Sequence, residues 1–157
     1  MLLSFLLAAT PWVSMSAGPV FLHQSDRAGL GSGPLVRIEL GLPLAERAAA
    51  EAWLSGAMES APMGSPGDRA ILGAGGGGRF LLMRLDPEGK LGLWAHVGAG
   101  WGAIAAGDGS PGPTGFAGAL LAFQPFLKRF QLGLEADAVA YQKTLGLAVL
   151  PSLRCSF

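Results

Sequence analysis

The sequence predicts an all-β fold, a closed up-and-down antiparallel barrel of eight strands that crosses a membrane. Three observations lead to this prediction. Apolar residues alternate with small or charged residues along much of the chain, a pattern typical of strands rather than helices. Half of the 157 residues are hydrophobic and only 14% are charged, whereas an ordinary soluble domain has roughly 25% charged residues. Finally, loops rich in Gly, Pro and Ser alternate with short turns.

The composition excludes several classes of protein. Beyond the first dozen residues, no stretch approaches the roughly 20 apolar residues of a membrane-spanning helix. The net charge is zero and no basic stripe is present, so nucleic-acid binding has no support. Cys155 is the only cysteine, which excludes an internal disulfide and a thiolate metal cluster. We expect no metal and no cofactor.

The first residues are typical of an export signal that leads into the first strand. Residues 1–16 contain an apolar core followed by small residues that suit a cleavage site, although no Lys or Arg precedes the core. Alternatively, the segment is a truncated start, part of which belongs to the mature fold. Residues 12–24 are a weak strand candidate, and residues 12–157 are expected to form one barrel domain.

The second and third strands are predicted on either side of a short turn. In residues 35–44 every second residue is aliphatic, and Arg37 and Glu39 alternate with them. Residues 48–59 are ambiguous, because their Ala and Glu residues favour a helix by propensity. We prefer a strand, since the neighbouring strands need a partner, and a strand places Glu51 opposite the apolar face.

A tight turn at residues 86–90 joins the fourth and fifth strands. The fourth, residues 71–85, contains the run GAGGGGR, which ends at Arg79. This run lacks the Lys-Ser/Thr pair of a phosphate loop and no helix signal follows it, so it indicates close strand packing beside bulky side chains. The fifth strand, residues 91–105, carries apolar residues on one face and glycines with His96 on the other.

The last three strands follow a further loop rich in Gly and Pro. They are predicted at residues 115–127, 130–141 and 147–157. Glu135 and Asp137 alternate with apolar residues, so both carboxylates lie on one face of a strand, whereas a helix would spread them around its axis. Strands of about 9–11 residues or more are long enough to cross a bilayer at a tilt.

The two faces of these strands indicate which side meets lipid. One face is almost uniformly apolar, and the other is mostly Gly, Ala and Ser with a few charges and bulky aromatics. The second face is a poor surface for water but suits a crowded interior, where charges must be paired. We therefore expect the apolar face to contact lipid and a network of ion pairs to fill the interior, formed by Arg37, Glu39, Glu51, Arg79, His96, Glu135, Asp137 and Arg154.

The connections predict closure and orientation. An open sheet would leave its edge groups unsatisfied in lipid, so the sheet must close. The long loops, residues 25–34, 59–69 and 106–115, all follow odd-numbered strands, and short turns follow even-numbered ones. Outer-membrane barrels have short periplasmic turns and longer external loops. The last connection, residues 142–146, is short for an external loop.

These features resemble the small eight-stranded outer-membrane barrels of the OmpA and OmpX membrane-domain type. The resemblance covers residues 12–157 and includes a last strand, LAVLPSLRCSF, that ends at Phe157. It implies a bacterial outer-membrane location, contact with outer-membrane lipid, and recognition of Phe157 by the barrel-assembly machinery. A monomer is favoured. Pro125 and Pro151 depart from a regular strand, and we expect local bulges there, because proline cannot donate to a ladder.

Several functions are compatible with this sequence. The leading one is a structural or surface-interaction protein with an interior filled by ion pairs, because eight strands enclose a space just wide enough for side chains. A narrow solute channel and a soluble barrel that binds an apolar ligand are alternatives. A lipid-modifying enzyme would use His96, or His23 with the nearby Ser25 and Asp26. We expect no enzymatic activity, since no serine adjoins His96 and the His23 grouping is too closely spaced.

Overall fold

Alternating side chains produce strands along nearly all of the described chain. In a computed structural model of the protein, the described residues are 10–24, 30–60, 69–105, 110–125, 127, 129–142 and 144–157. No helix in these ranges is long and apolar enough to span a membrane. The eight strands are β1 Trp12–Gln24, β2 Leu30–Ala45, β3 Ala48–Glu59, β4 Arg69–Arg84, β5 Leu91–Ala105, β6 Gly112–Phe123, β7 Phe130–Tyr141 and β8 Thr144–Ser156.

The strands close into a single ring. Each pairs antiparallel with its neighbour in the chain, and β1 pairs with β8, from Trp12 opposite Ser156 to Gln24 opposite Thr144. Closure pairs the edges that an open sheet would leave free, as a sheet in lipid requires. The predicted eight-stranded antiparallel barrel is confirmed. The strand preferred for residues 48–59 is confirmed as well, because pairing with both neighbours outweighs the helix propensity of Ala and Glu.

The barrel is apolar on the outside, and its charged strand residues at mid-barrel lie inside. Leu40, Val97 and Leu134 expose 61%, 49% and 48% of their surface. At alternate positions, Arg37 and Glu135 are only 1% and 0% exposed. A soluble barrel would bury the aliphatic residues and expose the charges, so this arrangement is the one predicted for strands in lipid.

Some strands are longer than predicted. β2 begins at Leu30, within the predicted loop 25–34, and β8 begins at Thr144, within the predicted turn 142–146. Gly and Pro have low strand propensity, but hydrogen bonding to a neighbouring strand overrides it at these ends. β1 begins at Trp12, while residues 1–9, which hold much of the predicted signal, lie outside the described residues.

The bulge expected at Pro151 is absent. β8 keeps its register with β7 through this residue, which pairs with Leu134. Pairing with β1 lapses between Ser16 and Val20 and resumes in the same register. Pro19 lies in this gap, and neither proline can donate a backbone hydrogen bond, so the ladder opens without shifting.

Bulges occur instead near the short turns. The register shifts between Pro43 and Ala45 in β2, and between Leu81 and Met83 in β4. Pro125 lies beyond the end of β6 and needs no bulge. An extra residue re-aims the side chains that follow it, and this places Met83 on the outer wall at 52% exposure.

The predicted difference in connection length between the two ends of the barrel is reduced to one long connection, residues 60–68, because the strands extend into the other predicted loops. At one end, called here the short-turn end, β2 joins β3, β4 joins β5 and β6 joins β7. The other, called here the loop end, carries the connections at residues 25–29, 61–68 and 106–109, which lie outside the described residues. Phe157 follows β8 at the short-turn end, where it is 68% exposed and its N–H donates to Pro11 O at 3.0 Å.

Candidate functional site

Arg37 is the centre of a buried ion-pair cluster inside the barrel. Its Nε lies 3.2 Å from Glu39 Oε1, and its Nη2 lies 2.5 Å from Asp137 Oδ2 and also contacts Glu135 Oε2. Arg37 and Glu39 belong to β2, and Glu135 and Asp137 belong to β7. Within each pair the residues are two positions apart, so both side chains point to the same side of the strand. Strands that are not neighbours in the sheet are thereby joined across the interior.

Arg79, on β4, is a second centre. Its Nη2 donates to Glu39 Oε2 at 2.9 Å, and its Nε lies 2.6 Å from Glu51 Oε1. Glu39 therefore contacts both arginines, one through each carboxylate oxygen. Contacts between ionised groups are stronger than those between neutral groups, and here they link β2, β3 and β4.

His96, on β5, extends the cluster. Its Nε2 lies 2.6 Å from Asp137 Oδ1, and its ring packs against Phe116 with the ring centres 5.2 Å apart. The side chain is 2% exposed, and Nδ1 has no hydrogen-bond partner among the described residues. The structure thus brings seven of the eight predicted site residues into one connected set, namely Arg37, Glu39, Glu51, Arg79, His96, Glu135 and Asp137.

Arg154 lies beside this set, and its guanidinium shares the Trp12 ring with that of Arg79. It donates to Gln131 Oε1 at 3.1 Å, and its guanidinium stacks 4.2 Å from the ring centre of Trp12. In the described part of the chain it forms no ion pair. On β7 it pairs with Gln131, well before Glu135 and Asp137, whereas its partner on β1, Ser14, pairs with Glu39. Arg154 is therefore a neighbour of the predicted network rather than one of its directly ion-paired members.

Aromatic rings pack directly against the cluster. The Arg37 guanidinium lies 4.0 Å from the ring centre of Phe116, and Trp53 meets Phe116 edge-on with the centres 5.5 Å apart. Glycine provides the space for them, since a Cβ on Gly98 would lie 2.5 Å from Phe116 Cε1 and 2.7 Å from Trp53 Nε1. This confirms that small residues on the inward face make room for bulky ones.

Nearer the loop end the interior is apolar, a feature that sequence reasoning missed. Inward positions of seven strands form one hydrophobic cluster, made of Val20, Leu22, Leu35, Trp53, Ala57, Ile71, Phe116, Val139, Tyr141, Ala148 and Leu150. By composition these residues look like the lipid face. The sequence could still have shown that they face inward, because alternate residues of a strand lie on the same face. Leu35 is two positions from Arg37, and Val139 is two positions from Asp137.

No family model matches the chain, and no curated protein matches it either. Solved structures do match. Neisserial surface protein A aligns with a TM-score of 0.66 at 13% identity, over 94% of this chain and 97% of that one. Ail, the attachment invasion locus protein of Yersinia pestis, aligns with a TM-score of 0.60 at 13% identity, over 95% and 99%. The fold is that of the small eight-stranded outer-membrane barrels.

Within this outer-membrane barrel fold the likeness concerns architecture alone, because the sequences differ at most positions. A further structure of Ail, described as an outer membrane protein in a phospholipid bilayer nanodisc, aligns with a TM-score of 0.57 at 11% identity. The family resemblance expected from the sequence is confirmed at the level of the fold. The ion-pair cluster is described from this chain's own residues.

Proposed function

We propose that the protein is an integral barrel of the bacterial outer membrane with a structural or surface-interaction role. One observation carries this proposal. The outer wall exposes aliphatic side chains on all sides while the interior buries ion pairs, and an apolar surface of this extent requires a non-aqueous partner. The shared fold supports the outer membrane as the location, because the matched Ail structure is that of an outer membrane protein.

The interior is proposed to be closed rather than an open channel. Arg37 and Arg79 cross-link strands at mid-barrel, and the apolar cluster fills the space toward the loop end. Val20, Leu22 and Leu150 are each 0% exposed, which a water-filled path beside them would prevent. An eight-stranded barrel has room for side chains but little more.

The loop end is proposed to face the outside and to meet the protein's partners. The longest connection between strands, residues 60–68, lies at this end, and the longer loops of outer-membrane barrels are external. Ail is described as an attachment invasion locus protein, and one structure shows it in complex with the heparin analogue sucrose octasulfate. Those properties belong to Ail; here they support only the proposal that a barrel of this fold can act through its external loops.

We also propose that the protein is not an enzyme. His96 is held between Asp137 and Phe116, and its contacts in the described residues include no serine or cysteine. Of the second grouping, Ser25 and Asp26 lie outside the described residues. Recognition of Phe157 by the assembly machinery stays a prediction, consistent with its exposed position after β8.

Topology in cells tests the proposal. An epitope tag is inserted either at residues 61–68 or into the turn at residues 86–90, and each protein is expressed in a Gram-negative host. We expect both to fractionate with the outer membrane as bands whose gel migration shifts on boiling. Antibody should label the first tag on intact cells and the second only after lysis. Recovery as a soluble monomer without detergent, or labelling with the opposite polarity, would contradict the proposal.

Planar-bilayer recording separates the closed barrel from the channel. The folded protein should produce no sustained conductance steps. Reproducible open channels that are altered by Arg37→Gln would instead favour the solute channel.

A further inference from the structure

The buried cluster holds more negative than positive charge. Four carboxylates face two guanidiniums, which leaves two negative charges unmatched when the histidine is neutral; the six groups are Glu39, Glu51, Glu135, Asp137, Arg37 and Arg79. The next cation, Arg154, is half-buried beside Trp12 and acts on Glu51 and Glu39 only at longer range, without an ion pair among the described residues. Unmatched buried charge is costly, so the folded chain must take up either protons or a cation here.

Three of the side chains are arranged to hold a cation. Glu39, His96 and Glu135 each offer one ligand atom, and these atoms all lie within 4.8 Å of one another. Ligand atoms at about 2.1 Å from a shared ion lie up to about 4.2 Å apart, so small side-chain rotations would close the site. The side chains come from β2, β5 and β7, which hold them from different sides of the interior.

Two buried atoms without hydrogen-bond partners also suit a bound cation. Glu135 is 0% exposed, yet its Oε1 has no hydrogen-bond partner among the described residues, while its Oε2 is taken by Arg37. His96 Nδ1 is also without a partner, while Nε2 lies 2.6 Å from Asp137 Oδ1. A histidine that binds a metal commonly donates its other ring N–H to a carboxylate, which fixes the tautomer.

We propose that the barrel interior binds one divalent transition-metal ion, with Glu39, His96 and Glu135 as its protein ligands. One imidazole and two carboxylates form a ligand set that suits Zn²⁺. The ion would supply positive charge that Arg37 and Arg79 leave lacking, and it would use the free lone pairs of Glu135 Oε1 and His96 Nδ1. It would also join β2, β5 and β7 more firmly. The proposal goes beyond the outer-membrane role and does not depend on it, and it revises the sequence-based expectation of no metal.

The test uses the full chain, refolded from urea into detergent micelles with and without ZnCl₂ because the site is buried. After dialysis, elemental analysis should find one zinc per folded chain. The midpoint of thermal unfolding, followed by the gel shift on boiling, should rise with zinc. His96→Gln and Glu135→Gln should each weaken zinc affinity at least about tenfold in chelator competition. His23→Gln, which changes the other, exposed histidine, should leave affinity unchanged.

The outcomes are decisive even where a variant does not fold. In the wild-type chain, the ring ¹⁵N resonances of His96 should shift on zinc loading and those of His23 should not. A folded wild type that retains no zinc would mean that protons neutralise the cluster, and the proposal would fail. It would fail equally if zinc binding were lost in His23→Gln but kept in His96→Gln. Because outer-membrane fractionation is measured separately, either result can be obtained whether or not the proposed location holds.

Discussion

At the scale of single residues, Arg37 shows how a charge is accommodated inside the barrel. Its guanidinium edge meets Glu39, Glu135 and Asp137, while its face lies on Phe116. Arginine suits this position because its planar group can contact several carboxylates at once and stack on a ring. The contacts are interdependent, since removal of the Arg37 guanidinium leaves the three carboxylates buried with less positive charge beside them.

We predict that Arg37→Met destabilises the folded barrel by about 3–5 kcal/mol, the range for breaking a buried ion pair. Urea-induced unfolding in micelles at neutral pH measures this change. The control is Arg84→Met, because Arg84 pairs with Glu46 at 3.0 Å in an exposed position. Its cost should be about 0–1 kcal/mol. Similar losses for the two variants would show that the interior contacts of Arg37 add little.

At the scale of elements, β4 and β5 show why the glycine run belongs in a strand. The two strands pair along most of their lengths, with Gly75 opposite Gly100 and Gly77 opposite Gly98. A Cβ on Gly77 would lie 2.2 Å from Val97 O, so the inward glycines allow the strands to coil closely past each other. The adjacent Gly76 faces outward, where a Cβ would meet only Glu51 O at 3.6 Å.

This difference gives a matched pair of substitutions within one run. Gly77→Ala should destabilise by about 1–3 kcal/mol, because a backbone carbonyl cannot move aside easily. Gly76→Ala should be neutral or stabilising by up to about 1 kcal/mol, since alanine restricts the unfolded chain more than glycine. Unfolding in urea compares them. If alanine is tolerated equally at both positions, the run does not serve close packing.

The turn between β4 and β5 is held by Asp86, whose Oδ1 accepts a hydrogen bond from Leu91 N at 2.7 Å. This bond, together with the N–H of Lys90, lowers the pKa of the Asp86 carboxyl. A lowered folded-state pKa means that the stabilisation is present above the unfolded value of about 3.9. It is lost as the pH falls through the folded-state pKa.

The expected outcome is a titration midpoint for Asp86 below about 3.9 in the folded protein, followed by the carboxyl ¹³C resonance. The urea-unfolded chain serves as the reference and should titrate near the ordinary value. A folded midpoint at or above the unfolded one would mean that the turn forms without this carboxylate.

At the scale of the whole molecule, the distribution of apolar and charged side chains is inverted relative to a soluble protein. A single substitution to arginine on the outer surface can test this. Val97 lies midway along β5 and Leu85 just after β4, and both are about half exposed, at 49% and 46%. Their exposures match, but their depths in a bilayer differ. Only a membrane should distinguish them.

In lipid vesicles, Val97→Arg should cost about 2–4 kcal/mol and Leu85→Arg about 0–1 kcal/mol, because the penalty depends on depth. Unfolding in urea with tryptophan fluorescence measures both. A soluble barrel would show changes within about 0.5 kcal/mol at either exposed site. Equal, small effects would therefore favour that alternative.

Prediction from sequence succeeded where local alternation carries the information. It placed Glu135 and Asp137 on one face and identified seven of the residues that form the buried cluster. It overlooked the interior position of Leu150, which alternation along β8 indicates. It did not show that Arg154 would contact Gln131 in place of a carboxylate, because neighbours on other strands follow from strand register. Register depends on pairing between segments distant in sequence. It also missed that Trp12 would stack on Arg154.

The sequence by itself determined the strands, their two faces and the closure of the sheet, because side-chain alternation is a local property and an open edge is too costly in lipid. Only the tertiary structure decided which charges meet. Arg37 reaches β7 across the ring, and Glu39 is shared with Arg79, through the curvature and register of the closed barrel. Alternation indicates whether a side chain points into or out of the barrel, whereas contact across the interior depends on the position of that residue along the barrel axis.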